Sequence, residues 1–417
     1  MTTPNRIAVL GAGPIGIDAA LAAHDAGVSF TLYEFGDDVG ANVGSWGHVR
    51  LFTPWSMNLS DRMRSRLAPG QFLSDSECPT GAEFLDLVLR PLAQHRDLRQ
   101  SLRRDSRVVA VSRAGLVKSD EIGTGARATR PFRLLVRSSD GEETVDYADL
   151  VLDCTGTYGN PNPLGDGGIP APGESAAGDR ISREIPDVEG QSDRWAAKTI
   201  MLVGGGHSGQ TAATRLADLA ARAPGTSVIW CRRDDTRRIA PIPDDPLPGR
   251  VRLTAEANEL LSGGSPHVEI RSGWVVDEIE PGASPAGGRG LNVVLRERGG
   301  DRDRVAVDLV ISLTGYVGDN ALYRQLQVHE CYATSGPMKL AAALLAEGGG
   351  DCLQQASHGL DTLKSPEPNF YMLGSKSYGR NNTFLLRVGY DQVDEVFGAL
   401  AGPPESHSNP KKESPAA

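Results

Sequence analysis

Hydrophobic and polar positions fall into two repeated rhythms along this chain. A short apolar run from Ile7 to Leu10 (IAVL) meets glycines, then an Ala-rich stretch, then a second apolar run, SFTLY, ending at Tyr33. This order predicts strand, turn, helix and strand. The same order returns between Thr199 and Arg233, in TIMLVGGGHSGQTAATRLADLAARAPGTSVIWCRR. Each copy also closes alike, with ADLVLDCTGTYGN from Ala148 to Asn160 and VDLVISLTGYVGDN from Val307 to Asn320. Ahead of each closing strand lie two β-like runs, RVVAVSR and FRLLVRS in the first half, WVVDEIE and LNVVLRE in the second. Each half is therefore expected to be a βαβ unit carrying a small antiparallel insert.

Between the halves, Pro161 to Asp193 is rich in Gly, Pro and acidic residues, which predicts an inter-domain connection without a packed element. Beyond Leu322 the pattern predicts a helix in GPMKLAAALLAE, a Gly-rich break, a strand from Asn369 to Leu373 and a helix from Thr383 to Leu400. The tail GPPESHSNPKKESPAA is expected to be disordered.

The turn after the first strand holds Gly11, Gly13 and Gly16. A dinucleotide site needs glycines at this spacing for a tight turn, for close approach of backbone to pyrophosphate, and for close helix packing. The helix start then offers free N–H groups and a positive dipole end to the phosphates. Glu34, just past the next strand, stands where a carboxylate accepts ribose hydroxyls. The second turn holds Gly204, Gly206 and Gly209, with His207 and Ser208 at the helix start. Here Arg232 and Arg233 occupy the place of Glu34, and guanidinium groups clamp a 2'-phosphate that a carboxylate repels. NADPH is thus expected over NADH. The fold class that follows is α/β, with two Rossmann-like, doubly wound dinucleotide-binding domains, each with a small antiparallel β insert.

Composition narrows the partners. Of 417 residues, 43 are Lys or Arg and 53 are Asp or Glu, a net charge of -10, which argues against nucleic-acid and acidic-membrane partners. No apolar run is long enough to span a bilayer, and MTTPNR leads directly into the first strand, so a cytoplasmic protein is expected. The five cysteines are scattered without a CxxC, which predicts reduced thiols and neither a disulfide framework nor a metal site.

An acid-terminated site, an arginine-terminated site and two Thr-Gly closures in one chain resemble the two-dinucleotide-binding-domain flavoproteins. The resemblance implies FAD in the first site, over residues 1–165 and 330–402, and NADPH in the second, over 190–329, with 403–417 as a tail. It implies cofactor contacts at Gly11, Gly13, Gly16, Glu34, Trp46, Thr155, Gly156, Gly374 and Asn382 for FAD. Gly204, Gly206, His207, Ser208, Gly209, Arg232, Arg233, Thr314 and Gly315 are implied for NADPH. The stretch after Glu34 lacks the CxxxxC of glutathione-reductase-like enzymes, and the second half lacks the CxxC of thioredoxin-reductase-like ones. What remains is similar to the flavin-containing and N-hydroxylating monooxygenases, whose Gly-rich stretch runs into Trp as Gly44-Ser45-Trp46 does. Of their FxGxxxHxxx(W/Y) fingerprint, read here at Ile185, Asp187, Gln191 and Trp195, only the aromatic end is present, and Gly374-Ser375 replaces their Gly-Asp.

The resemblance implies an oxidoreductase in which NADPH reduces FAD and reduced FAD activates molecular oxygen, to oxygenate a nitrogen or sulfur centre of a small molecule. The segment from Trp46 to Asn58 is expected to line the flavin, with His48, Arg50 and Asn58 as candidate catalytic groups. Trp46, Phe52 and Trp55 in that segment serve equally as core aromatics. Lys376, Arg380 and Asn382 are candidates for holding flavin or an anionic substrate group. The alternatives are a reductase, dehydrogenase or oxidase, including one that relays electrons through Cys331 and Cys352, and a nucleotide-sensing flavoprotein without turnover.

Overall fold

The computed structural model describes residues 4–68, 74–347 and 352–401. The first half runs β1 (Arg6–Leu10), α1 (Pro14–Asp25), β2 (Ser29–Tyr33), β3 (Leu102–Arg103), β4 (Ser106–Arg113), β5 (Phe132–Ser138), β6 (Glu143–Ala148) and β7 (Leu150–Asp153). The second runs β8 (Ile181–Ser182), β9 (Thr199–Val203), α2 (His207–Arg222), β10 (Ser227–Arg232), α3 (Pro248–Leu261) and β11 (Val268–Ser272). It continues through β12 (Trp274–Ala283), β13 (Arg289–Glu297), β14 (Arg302–Val307) and β15 (Leu309–Ser312). The C-terminal part adds α4 (Met338–Ala346), β16 (Phe370–Met372) and α5 (Leu386–Leu400).

These strands form two five-stranded sheets, ordered β16-β7-β1-β2-β3 and β11-β10-β9-β15-β8, whose pairings are all parallel. The three-stranded sheets β4-β5-β6 and β12-β13-β14 are antiparallel. The duplication read from the sequence is thus complete: β16, β7, β1, β2 and β3 correspond in order to β8, β15, β9, β10 and β11. The central strands are covered on both faces, so Ile7, Ala8, Val9 and Leu10 are all buried, as continuous apolar runs in parallel sheets are. In α1 only small and aliphatic side chains from Ile15 to Ala23, with the one carboxylate Asp18, fit between β1 and α5. Among the described residues no helix is long and apolar enough to cross a membrane.

The structure departs from the sequence pattern at three places. The stretch from Pro161 to Asp193 is packed: Ile181 and Ser182 pair with Val310 and Ile311, completing the second sheet. Buried Glu174 accepts the N–H groups of Leu164 and Ala171 and the guanidinium of Arg183, which holds the stretch down. The chain returns to the first sheet earlier than residue 330, because Leu322, Tyr323 and Leu326 pack with Ala8, Phe132 and Phe370. The last helix begins at Leu386 and not at Thr383, since the Asn381 side-chain Oδ1 accepts from the Thr383 N–H and hydroxyl and keeps that chain in a turn. The expected tail, 403–417, and the glycines from 348 to 350 lie outside the described residues.

Candidate active site

The two glycine turns sit at the carboxyl ends of β1 and β9, where the strand order of each sheet reverses direction. Within each turn the three glycines have different reasons to be glycine. Gly11 has φ +94, and a Cβ there would lie 2.8 Å from the Cys154 carbonyl oxygen. A Cβ on Gly16 would lie 1.8 Å from the Gly11 carbonyl oxygen. In the second turn, Cβ atoms on Gly204 and Gly209 would lie 2.3 Å from the carbonyl oxygens of Leu313 and Gly204. The chain's own packing therefore demands these four. The middle glycines, Gly13 and Gly206, face open space, with nothing within 4 Å of an added Cβ. Each is the N-cap residue of its helix, and neither α1 nor α2 has a side-chain cap, so first-turn N–H groups are left for an outside acceptor.

Glu34 is buried at 3% exposure. Its carboxylate accepts the Ala12 N–H at 2.8 Å and the Gly36 N–H at 2.9 Å, so it braces the turn itself. Burial pushes its pKa up, against the pull of those N–H groups. A carboxylate has about four lone-pair sites, so two bonds leave capacity for a ribose hydroxyl.

Arg232 and Arg233 part company. Arg232 is 2% exposed and folds beneath the second turn, with Nε 3.2 Å from the place of a Cβ on Gly205. Its guanidinium reaches the Thr236 carbonyl at 3.2 Å and the Asp234 carboxylate at 3.3 Å, and burial lowers its pKa. Arg232, expected together with Arg233 at a 2'-phosphate, is thus buried and bonded to its own loop. Arg233 is exposed, and so are Arg237 and Arg238 on the same loop. Those two were missed, although CRRDDTRR shows them as a second arginine pair.

The two Thr-Gly closures meet. Thr155 donates its hydroxyl to Asp153 at 2.7 Å, while Thr314 donates to the Asn162 carbonyl at 2.8 Å. Asn162 in turn donates its N–H to the Gly315 carbonyl at 2.9 Å, and the Val317 N–H donates to the Asn160 carbonyl at 3.1 Å. Tyr158 and Tyr316 stack with centroids 4.6 Å apart, and Trp46 lies 6.4 Å from Tyr158. Gly156 and Gly315 both have positive φ, +68 and +87.

The segment from Trp46 to Asn58 divides by role. Trp46 packs on Gly81, and its indole Nε1, like His48 Nε2, is buried without a hydrogen-bond partner. Orphaned buried N–H groups are rare, and both nitrogens are available to a bound molecule. Arg50 instead donates to the Cys78 carbonyl and stands 3.5 Å from Glu83, joining its segment to that of Thr80. Asn58 is spent closing its own turn, donating to the Thr53 carbonyl at 2.8 Å and accepting from the Thr53 hydroxyl at 2.7 Å. Of the three candidate catalytic groups, His48 keeps a buried nitrogen without a partner, whereas Arg50 and Asn58 shape the segment. Phe52 reaches across to His207, with ring centroids 5.7 Å apart, and Trp55 is core.

At the C-terminal return, Gly374 has φ +73 and donates its N–H to Gln392 at 2.8 Å. Lys376 is buried against Asp153 at 2.6 Å, so it is not free to hold an anionic substrate. Arg380 and Asn382 are exposed, and Arg380 reaches Asn162 at 3.5 Å.

No protein-family model matches the chain, and no curated protein matches its sequence. Solved structures do. The bacillithiol disulfide reductase from Bacillus cereus superposes with a TM-score of 0.68 at 19% identity, over 95% of this chain and 98% of its own. The chain has the two-dinucleotide-binding-domain flavoprotein fold. Two further proteins with this flavoprotein fold differ in chemistry. The ornithine N-hydroxylase of Kutzneria sp. 744, solved with reduced FAD, NADP+ and L-ornithine, gives a TM-score of 0.62 at 16% identity, covering 96% of this chain and 99% of that one. The T. acidophilum thioredoxin reductase gives 0.55 at 15% identity, covering 95% and 98%. The fold class read from the sequence holds. The flavoprotein fold hosts reductases and an oxygenating enzyme alike, so it does not choose between them.

Proposed function

We propose that this chain is an FAD-dependent, NADPH-using oxidoreductase that oxygenates a nitrogen or sulfur centre of a small molecule. One observation carries the cofactor assignment. Gly13 and Gly206 are the glycines the chain's packing does not require, and each opens a cradle at an uncapped helix start, as a dinucleotide pyrophosphate needs. Glu34 would hold the FAD ribose and Arg233 the NADPH 2'-phosphate. Trp46 Nε1 and His48 Nε2 are suited to hydrogen-bond the flavin or a substrate beside it. Bound FAD supplies the hydride-accepting and oxygen-activating chemistry. The chain's part is to hold the nicotinamide and flavin sites against each other through Phe52 and His207 and to shelter the junction with Trp46, Tyr158 and Tyr316.

A second reading, electron transfer to a disulfide, is favoured by one contact. The Cys352 thiol lies 3.0 Å from the Arg250 guanidinium, which stabilises a thiolate. Against it, none of the five cysteines is joined to another in a disulfide.

Measured NADPH oxidation by the FAD-loaded protein tests the two. Oxygenation requires dissolved oxygen, acceleration by an amine or thioether, and a product heavier by one oxygen atom. NADPH oxidation that proceeds equally without oxygen when a disulfide is supplied, and is lost in Cys352→Ser, would replace the first reading with the second.

A further inference from the structure

Lys376 and Asp153 are the most deeply buried ion pair beside the first glycine turn, at 1% and 0% side-chain exposure. Asp153 ends β7, and Lys376 follows β16, so both stand at the carboxyl edge of the first sheet. The link to the turn is direct: a Cβ on Gly11 would lie 3.1 Å from Thr155 Cα. The ammonium has three acceptors for its three N–H groups, Asp153 Oδ2 at 2.6 Å, the Asp319 carbonyl at 2.8 Å and Thr155 Oγ1 at 3.3 Å. The other Asp153 oxygen accepts the N–H and the hydroxyl of Thr155. Gly318 leaves room for the lysine stem, since a Cβ there would lie 2.5 Å from Lys376 Cγ.

As glue between three segments, such a pair is poor value, because stripping water from two charges offsets much of their attraction and apolar side chains of equal volume join segments as well. What apolar side chains cannot supply is a field, and water does not screen this one.

We infer that Lys376 and Asp153 act as a balanced pair, each offsetting the shift that the other's buried charge alone would impose on the redox potential of the FAD in the first site. This rests on the proposed reading of that site. Two electrons and one proton convert FAD to the reduced anion FADH−, adding one negative charge. A fixed cation nearby favours that change and a fixed anion opposes it. In the intact protein the two nearly cancel, and removing either one uncovers the other.

The test is the FAD midpoint potential, measured by dye-equilibrated reductive titration of the FAD-loaded full chain. Asp153→Asn is expected to move it to a more positive value and Lys376→Met to a more negative one. The double variant should return close to the starting value, and Lys376→Arg should leave it unchanged. A role in folding alone moves stability and FAD retention and does not produce shifts of opposite sign that cancel. FAD-loaded single variants with unshifted potentials, or shifts of the same sign, would overturn the inference. If Lys376→Met does not fold, Asp153→Asn decides alone, since an amide oxygen, Thr155 and Asp319 still hold the ammonium. A wild-type protein that takes up no FAD fails the underlying reading instead.

Discussion

The Phe52 ring stands edge-on to the His207 imidazole, their centroids 5.7 Å apart at an interplanar angle of 70°. Phe52 belongs to the segment after the first glycine turn, and His207 opens the helix of the second, so this contact helps to join the regions of the two glycine turns. Phe52 also lies 3.4 Å from the place of a Cβ on Gly249, at the start of α3. Phe52→Ala is expected to leave the bound-FAD spectrum unchanged and to slow flavin reduction by NADPH by up to about tenfold, the worth of one good aromatic contact. Stopped-flow absorbance under anaerobic conditions measures it, and an unchanged rate would mean the contact has no part in hydride delivery.

The glycines of the first turn are expected to separate fold from binding. Gly16→Ala drives a methyl group into the Gly11 carbonyl and should cost solubility or several degrees of melting temperature. The Cβ of Gly13→Val meets no protein atom within 4 Å, so the apo protein should melt close to wild type while FAD is lost. Thermal melts by circular dichroism, paired with flavin absorbance, distinguish the two. Retention of FAD by Gly13→Val would remove the pyrophosphate assignment.

Arginine substitutions in the second site should likewise differ in kind. Arg233→Ala is expected to raise the KM for NADPH roughly ten- to a hundredfold, because a charge-assisted bond to phosphate is worth about 1.5 to 3 kcal/mol. It should leave NADH kinetics nearly unchanged. Arg232→Ala, by removing the support beneath Gly205, should weaken both nucleotides and lower thermal stability. Equal wild-type efficiency with NADH and NADPH would contradict the phosphate role.

Asp18, inside α1, accepts from the Ser60 hydroxyl and pairs with Arg62 at 2.6 Å, yet its burial raises its pKa from 3.8 to about 6. A carboxyl whose pKa is higher folded than unfolded stabilises the fold below its unfolded pKa, and that stability is lost as pH rises through the folded value. The window is therefore from about 4 to about 6, with a total effect of roughly 3 kcal/mol. Asp18→Asn should flatten the loss of stability across that window. Denaturant unfolding at a series of pH values reads the slope, and the same slope in both proteins would refute the assignment.

The sequence by itself determined the duplicated architecture, because apolar runs, glycine spacing and helix periodicity are local properties that each half states for itself. It also located both turns, both closures and Glu34, since these lie at fixed distances along one βαβ unit. What only the tertiary structure decided were relationships across the chain. Arg232 and Arg233 are adjacent and chemically alike, but Arg232 ends β10 and folds beneath the second turn while Arg233 lies just beyond the strand on an open loop, so one is buried and one exposed. Asn58 and Arg50 read as reactive groups until their bonds to Thr53 and Cys78 are seen. The connection from Pro161 to Asp193 lacks any apolar rhythm, and its packing rests on scattered apolar residues such as Leu164, Ala171 and Val188, a buried carboxylate, and a two-residue strand that finds a partner 129 residues away. Lys376 reads as a cation open to flavin or an anionic substrate group because its neutralising partner, Asp153, lies 223 residues earlier. Burial and pairing of charge depend on which segments the fold brings together, and that is not a local property of the chain.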